Sequence, residues 1–228
     1  MVYSFGGLPA LALFGLTIVT PVIKLIMAVL AVLAVVWILN LFNFMDGIDG
    51  IAGVETISTT LVMGGILLAL NTDFGLVSLH FLLGLSTAGF LFWNFPPAKI
   101  FMGDAGSAFI GLMLAIFVLL AGTVSEELFW AWLVMLGVFI VDATATLLKR
   151  LIQGYKPHEA HCSHAYQIAS RKYKSHLRVT LSVLFINLFW LAPIAVLISI
   201  GFLDGFLGLI FAYAPLVLMV IWCNLEEK

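Results

Sequence analysis

Apolar positions in this chain come in long unbroken runs instead of short alternations. The runs occupy 22–42, 51–70, 75–94, 106–123, 128–148, 179–200 and 206–222, and each has close to the roughly 20 residues that carry a helix across the hydrocarbon core of a bilayer. The pattern therefore predicts seven membrane-spanning helices. A shorter apolar stretch, 8–20, is separated from the first long run by Pro21, and the first Lys or Arg of the chain is Lys24. Lacking a basic leader, it does not read as a signal peptide, so 1–21 is expected to be interfacial or re-entrant.

Only one extended polar segment, 149–178, interrupts the runs, and no soluble domain, low-complexity tract or internal repeat stands out. The sequence thus predicts an all-α, polytopic membrane protein, a single domain over 1–228 with one polar loop. Composition points the same way: 63% of residues are hydrophobic and 10% charged, against about 25% charged in soluble domains, and the mean hydropathy is +1.19. Cys162 and Cys223 fall on one side of the membrane in the topology below, which argues against a disulfide framework.

The formal net charge of −2 says little, but its distribution is informative. Lys149, Arg150, Lys156, Arg171, Lys172, Lys174 and Arg178 share the 149–178 loop, Lys99 lies in the 95–105 connection and Lys228 in the C-terminal tail. With seven alternating spans these segments face one side, which the positive-inside rule makes cytoplasmic. The connections holding Asp73, Ser125 to Glu127 and Asp204 carry no Lys or Arg. The turn at 43–50 then emerges at the same cytoplasmic face as 94–107 and 149–178.

Three polar groupings converge there. In Asn43-Phe-Met-Asp-Gly-Ile-Asp-Gly50, Asp46 and Asp49 stand three residues apart, a spacing that on a helix points both the same way, toward a cation or a polar substrate. Carboxylates at a membrane border cost free energy, about 2.5–3.5 kcal/mol at the bilayer centre, and usually face a site or a water-filled cavity. In the second grouping, 94–107, Pro96 and Pro97 end a helix, Gly103 and Gly106 bracket Asp104, and Ser107 is a candidate N-cap. A helix start offers amides to phosphate oxygens, and Asp104 offers a hard ligand to Mg²⁺. The segment also reads as an ordinary Asp-Gly turn. The third grouping holds His158, His161, Cys162 and His164 among basic residues, suited to a diphosphate. Zinc ligation and a solvated loop without a site remain alternatives.

Glu55 and Asp142 each lie roughly 9–10 Å into the membrane at about 1.5 Å per helical residue. They are expected either to join Asp46, Asp49 and Asp104 around one cavity or to pair with Ser58, Thr59 or Thr144 inside the bundle. His80, within a span, reads as a satisfied structural histidine.

The strings NFMDGIDGIAG at 43–53, NFPPAKIFMGDAGSAFIG at 94–111 and HCSHAYQ at 161–167 resemble the polyprenyl-phosphate N-acetylhexosamine-1-phosphate transferase superfamily, of glycosyltransferase family 4 type. SHAYQ and the VDATATLLKR run at 141–150 look most like its O-antigen-initiating branch. The resemblance implies transfer of a sugar 1-phosphate from a UDP-N-acetylhexosamine to undecaprenyl phosphate, with release of UMP, at the cytoplasmic side of a bacterial inner membrane, using Mg²⁺ or Mn²⁺. By motif position it makes Asp46, Asp49 and Asp104 the catalytic carboxylates, with Asp104 as metal ligand. Phe101 would stack on uracil, Asn43 would line the pocket with Asp49 nearest the uracil, Asn94 would support it, and His161 and His164 would hold the diphosphate. No nucleic-acid partner is expected. The family also carries an upstream Asp-Asp pair, and this chain has no such dipeptide. Two other readings follow: an incomplete nucleotide-sugar binder, completed by a second copy or an N-terminal partner chain, and a transporter with intramembrane acids.

Overall fold

The computed structural model describes residues 21–155 and 162–226. The expected segment at 1–21 therefore lies almost wholly outside the described residues, as do His158 and His161. The described residues form α1 (Pro21–Met45), α2 (Ile51–Ala69), α3 (Phe74–Asn94), α4 (Gly103–Val124), α5 (Glu126–Met135), α6 (Gly137–Ile152), α7 (Ala165–Tyr173), α8 (His176–Ile186), α9 (Ala192–Ser199) and α10 (Gly205–Glu226), with no strand among them. Six helical stretches are long and apolar enough to cross a membrane, and α5 with α6 makes a seventh if counted as one bent span. The polytopic helical architecture is the one the apolar runs predict.

Local chemistry sets the helix ends. Gly50 adopts φ +75°, a left-handed conformation that costs glycine little, and this lets the chain leave α1 and enter α2 within the turn 46–50. Asp73 caps α3 by accepting from the Leu76 amide at 2.9 Å, and Ser125 caps α5 by accepting from the Leu128 amide at 3.2 Å. At the other end of α3, Asn94 is the last helical residue before Phe95, Pro96 and Pro97. Pro193 stands near the start of α9, where its ring and missing amide would disrupt a regular helix. The widened turn Asn187–Leu191 lies immediately before it and keeps α8 and α9 on one continuous path.

Packing is that of a membrane bundle. On α1, Ala31, Ile38, Leu41, Phe42 and Met45 are buried at three- and four-residue spacing, while Leu25, Val29, Leu33 and Val36 are exposed, an inward stripe and an outward face. The stripe meets α4 at a close crossing: a Cβ on Gly111 would stand 2.8 Å from the Leu39 Cα. Small residues permit such approach between membrane helices. Gly111→Val is expected to force α1 from α4 at a cost of about 1–3 kcal/mol, read as a lower thermal-unfolding midpoint in detergent. An unchanged midpoint would show that the crossing is looser than this.

Three expectations need correction. The run 128–148 is not one straight span, because α5 and α6 bend by 68° at Leu136. Asp46 and Asp49 lie in the turn after α1 and not on a helix, and Ser107 sits inside α4, which starts at Gly103, instead of capping it. The 46–50, 94–104 and 162–176 segments nevertheless meet at one end of the bundle. At the opposite end Trp130 of α5 packs edge-on against Phe206 of α10.

Candidate active site

The meeting point of these segments encloses a polar cavity of about 310 Å³, lined by residues of the 43–49 turn, by Asn94, by the 101–104 connection and by His176. Asn94 builds it. Buried at the end of α3, it accepts from the Gly50 amide at 3.0 Å and donates to the Ile100 carbonyl at 2.8 Å. Its side-chain oxygen and nitrogen are thus both engaged by the two loops, so Asn94 braces the cavity wall that it also lines. Asp49 makes the next tie, accepting from the Ala98 amide at 3.1 Å. Asn43 accepts from the Ser107 hydroxyl at 3.1 Å, which joins the end of α1 to the first turns of α4.

Asp46 and Asp104 supply the negative charge. Asp46 is half-buried, and its carboxyl is pushed up to about 6, first by burial and second by the charge of Asp104. Asp46 therefore senses the charge of Asp104 across the cavity, which disfavours its ionisation. Asp104 lies in the first turn of α4 and is exposed, where a carboxylate complements the helix dipole. Phe101, also on the wall, is 76% exposed; a large ring left open at a polar cavity is available for stacking.

The other acids do not line this cavity. Asp142 is buried at the base of α7, where Oδ1 accepts from the Ala165 amide and Oδ2 from the Tyr166 amide, both at 2.9 Å. Thr146, and not Thr144, donates to the same carboxylate at 3.1 Å. Glu55 accepts from Asn187 at 2.7 Å, and the Ser58 and Thr59 hydroxyls donate to backbone carbonyls in place of the carboxylate. Both intramembrane acids are engaged by partners within the bundle, and Asp142 also borders a second, largely apolar cavity between α6, α7, α8 and α10. His80 has Nδ1 2.7 Å from the Leu76 carbonyl and stacks on Phe117.

The histidines are redistributed as well. His164 is buried, with Nδ1 3.3 Å from Asp142, so it belongs to the α6–α7 junction and not to the polar cavity. Tyr166 follows it, stacked on the His164 ring, and donates its hydroxyl to the Phe44 carbonyl at 3.0 Å. Burial, then the charges of Asp142 and Asp46, hold its ionisation well above the ordinary tyrosine range, so it remains a donor. The histidine that does reach the cavity is His176 at the start of α8, which no motif marks. Only its place in the basic 149–178 loop, at a helix start, could have pointed to it.

The second cavity, between α6, α7, α8 and α10, has a volume of about 640 Å³. Its walls include Val138, Val179, Val183, Leu216 and Trp222. This lining suits a hydrocarbon chain, whereas the cavity of Asp46 and Asp104 suits a polar, cation-bearing ligand.

The sequence profile described as Glycosyl transferase family 4 matches residues 1–122. The chain is 36% identical over 115 residues to the probable undecaprenyl-phosphate N-acetylglucosaminyl 1-phosphate transferase of Bacillus subtilis strain 168, covering 48% of this chain and 30% of that one. It is 41% identical over 64 residues to the phospho-N-acetylmuramoyl-pentapeptide-transferase of Chlamydia muridarum, covering 28% and 18%. To the protein of the same name from Prochlorococcus marinus it is 27% identical over 133 residues, covering 54% and 32%. The aligned stretches thus span less than a third of these curated relatives.

Proposed function

From the premise that the chain belongs to glycosyl transferase family 4, whose profile covers more than half of it, we propose that it transfers N-acetylhexosamine 1-phosphate from a UDP-sugar to undecaprenyl phosphate. An oxygen of the lipid phosphate attacks the sugar-bearing phosphorus, the new P–O bond forms, and the bond to UMP breaks, giving a lipid diphosphate sugar and free UMP. The observation that carries this reading is the pairing of Asp46 and Asp104 across a polar cavity beside an exposed aromatic ring.

The donor set fits Mg²⁺. A carboxyl whose proton affinity is raised by burial and by a facing carboxylate is one that a divalent cation relieves, and among the described residues no third His, Cys, Asp or Glu joins Asp46 and Asp104 to complete a metal cage. Mg²⁺ is characteristically held by one or two carboxylates, with the remaining positions left to substrate phosphates and water. Bound there, it would offset charge on the diphosphate and on departing UMP.

The chain's own groups do the positioning. Asp49, fixed by the Ala98 amide, is placed to accept from the nucleobase; Phe101 stacks on it, and Asn43 lines the nucleotide pocket. Holding donor and acceptor in line supplies a large share of such a rate enhancement. In this reading the site faces the cytoplasm of a bacterial inner membrane, supported by the basic residues at that end. The O-antigen-initiating branch stays within the proposal, because the 141–150 run that pointed to it lies beyond the family match and Asp142 within it serves the α6–α7 junction.

The test offers membranes containing the chain a UDP-N-acetylhexosamine labelled in the sugar, together with undecaprenyl phosphate. Label in the lipid extract with stoichiometric UMP, both abolished by EDTA, is the expected result. Nucleotide hydrolysis without lipid label, retention of unreacted nucleotide, or accumulation of label inside vesicles would replace it with a hydrolase, binder or carrier reading respectively.

A further inference from the structure

The polar cavity has one wall that belongs to neither motif, the start of α8. Ser175 caps this helix by accepting from the Arg178 amide at 3.3 Å, and the next residue, His176, places Nδ1 3.2 Å from Oδ1 of Asp49 and 3.4 Å from the Asp49 amide. One turn further on the same helix, Thr180 donates its hydroxyl to the Asp49 carbonyl at 2.8 Å. His176 and Thr180, at i and i+4, share a face, so α8 grips Asp49 at both carboxylate and backbone.

The consequence falls on the carboxylate's orientation. Oδ2 is held by the Ala98 amide on one side, and Oδ1 meets the imidazole on the other, with Asp49 only 17% exposed in its side chain and His176 45%. Nδ1 can donate to the carboxylate or accept from the Asp49 amide but not both; with the proton on Nδ1 the closer contact, to Oδ1, is a charge-assisted hydrogen bond that fixes the Asp49 rotamer, and the amide at 3.4 Å is then a neighbour without a hydrogen bond. Each oxygen keeps lone-pair capacity for a donor arriving in the cavity. Without the imidazole, only the Ala98 amide would restrain the carboxylate.

We propose that His176 is a positioning residue for the donor nucleotide, acting through Nδ1 on Asp49 and not by touching the reacting phosphorus. The inference rests on the donor-site reading above and adds a residue that lies outside the family match, which ends at 122. Its signature is a defect in nucleotide affinity with the chemical step nearly intact. A pure loss of fold would instead lower both together with the amount of folded protein.

Three substitutions test it, measured by UDP-sugar kinetics and by equilibrium binding of UDP to the purified chain in detergent. His176→Ala should weaken UDP binding and raise KM by about tenfold, the loss of one charge-assisted hydrogen bond, while kcat stays within about threefold. His176→Asn, whose side-chain N–H₂ falls near the place of Nδ1, should restore most of the affinity. His176→Gln, which reaches toward the place of Nε2, should not. In an Asp49→Asn background, His176→Ala should add nothing further, because its effect passes through that carboxylate. Rescue by Gln and not by Asn, an additive double variant, or a fall in kcat at unchanged KM would overturn the proposal. So would wild-type UDP affinity in His176→Ala. Failure of the wild-type chain to bind UDP at all would overturn the donor-site reading and this inference with it, whereas UDP binding that His176→Ala leaves intact defeats the inference alone.

Discussion

Asp104→Asn is expected to cut turnover by about a hundredfold or more while leaving the amount of folded protein unchanged, since on the proposed reading it deletes an anionic ligand at the developing charge. The fold should tolerate it. Asp104 is exposed, its carboxylate makes no side-chain hydrogen bond among the described residues, and removing an acid from a first helical turn costs within about 1 kcal/mol. Kinetics at saturating UDP-sugar with titrated Mg²⁺ provide the measurement, alongside detergent thermal unfolding as the control for folding. Full turnover would remove Asp104 from the metal site.

The same pair of acids sets a pH dependence. Asp46 is raised from 3.8 to about 6, by burial first and Asp104 second. A carboxyl whose folded value lies above its unfolded value binds its proton more tightly in the fold, so its ionisation lowers stability as pH rises from about 4 to about 6. Cation affinity moves the other way, growing over that window as the competing proton leaves. At limiting Mg²⁺, activity should therefore fall as pH drops below about 6 and level off above it. In Asp104→Asn the inflection, read from the residual activity or from cation binding, should shift to lower pH, because one of its two causes is gone while burial remains.

The bundle was legible because its signal is a length. A helix that crosses a bilayer must stay apolar for a fixed distance, and the runs along the chain report that distance without any knowledge of neighbours. Asp46, Asp49 and Asp104 were legible as a group for a related reason: two short polar motifs, each at a helix end, must emerge at one face when the spans alternate, while Phe101 was marked only by the family resemblance. What escaped were residues whose place depends on partners far along the chain. His176 reaches Asp49 across 127 positions, and nothing around it in sequence announces the contact. The bend at Leu136 carries no proline, so the run 128–148 looks like any other span. That bend is also why a depth for Asp142 counted along a straight helix misleads. In the fold, α6 turns its carboxylate to the amides that begin α7, and His164 follows it into the junction and away from the cavity.

Asp142→Ala is expected to be the most damaging single change to the fold, at about 3 kcal/mol or more. Asp142 is 4% exposed, and its two oxygens accept from the Ala165 and Tyr166 amides and from Thr146. Alanine would leave these buried donors without their acceptor, and each buried donor so orphaned costs about 1–3 kcal/mol. The damage should spread to the cavity along a defined route. If the start of α7 loosens, the Tyr166 hydroxyl leaves the Phe44 carbonyl, and the end of α1 with Asn43, together with the turn after it that holds Asp46, loses a support. Asp142→Asn should fall between, since one amide oxygen can still accept while the N–H₂ opposes the other backbone donor. The measurements are thermal unfolding in detergent and trypsin cleavage after Arg171 and Lys172, which should quicken in the order wild type, Asn, Ala. An alanine variant with the wild-type midpoint and cleavage rate would mean that α7 is held by its other contacts, and that the carboxylate is buried there for a different reason.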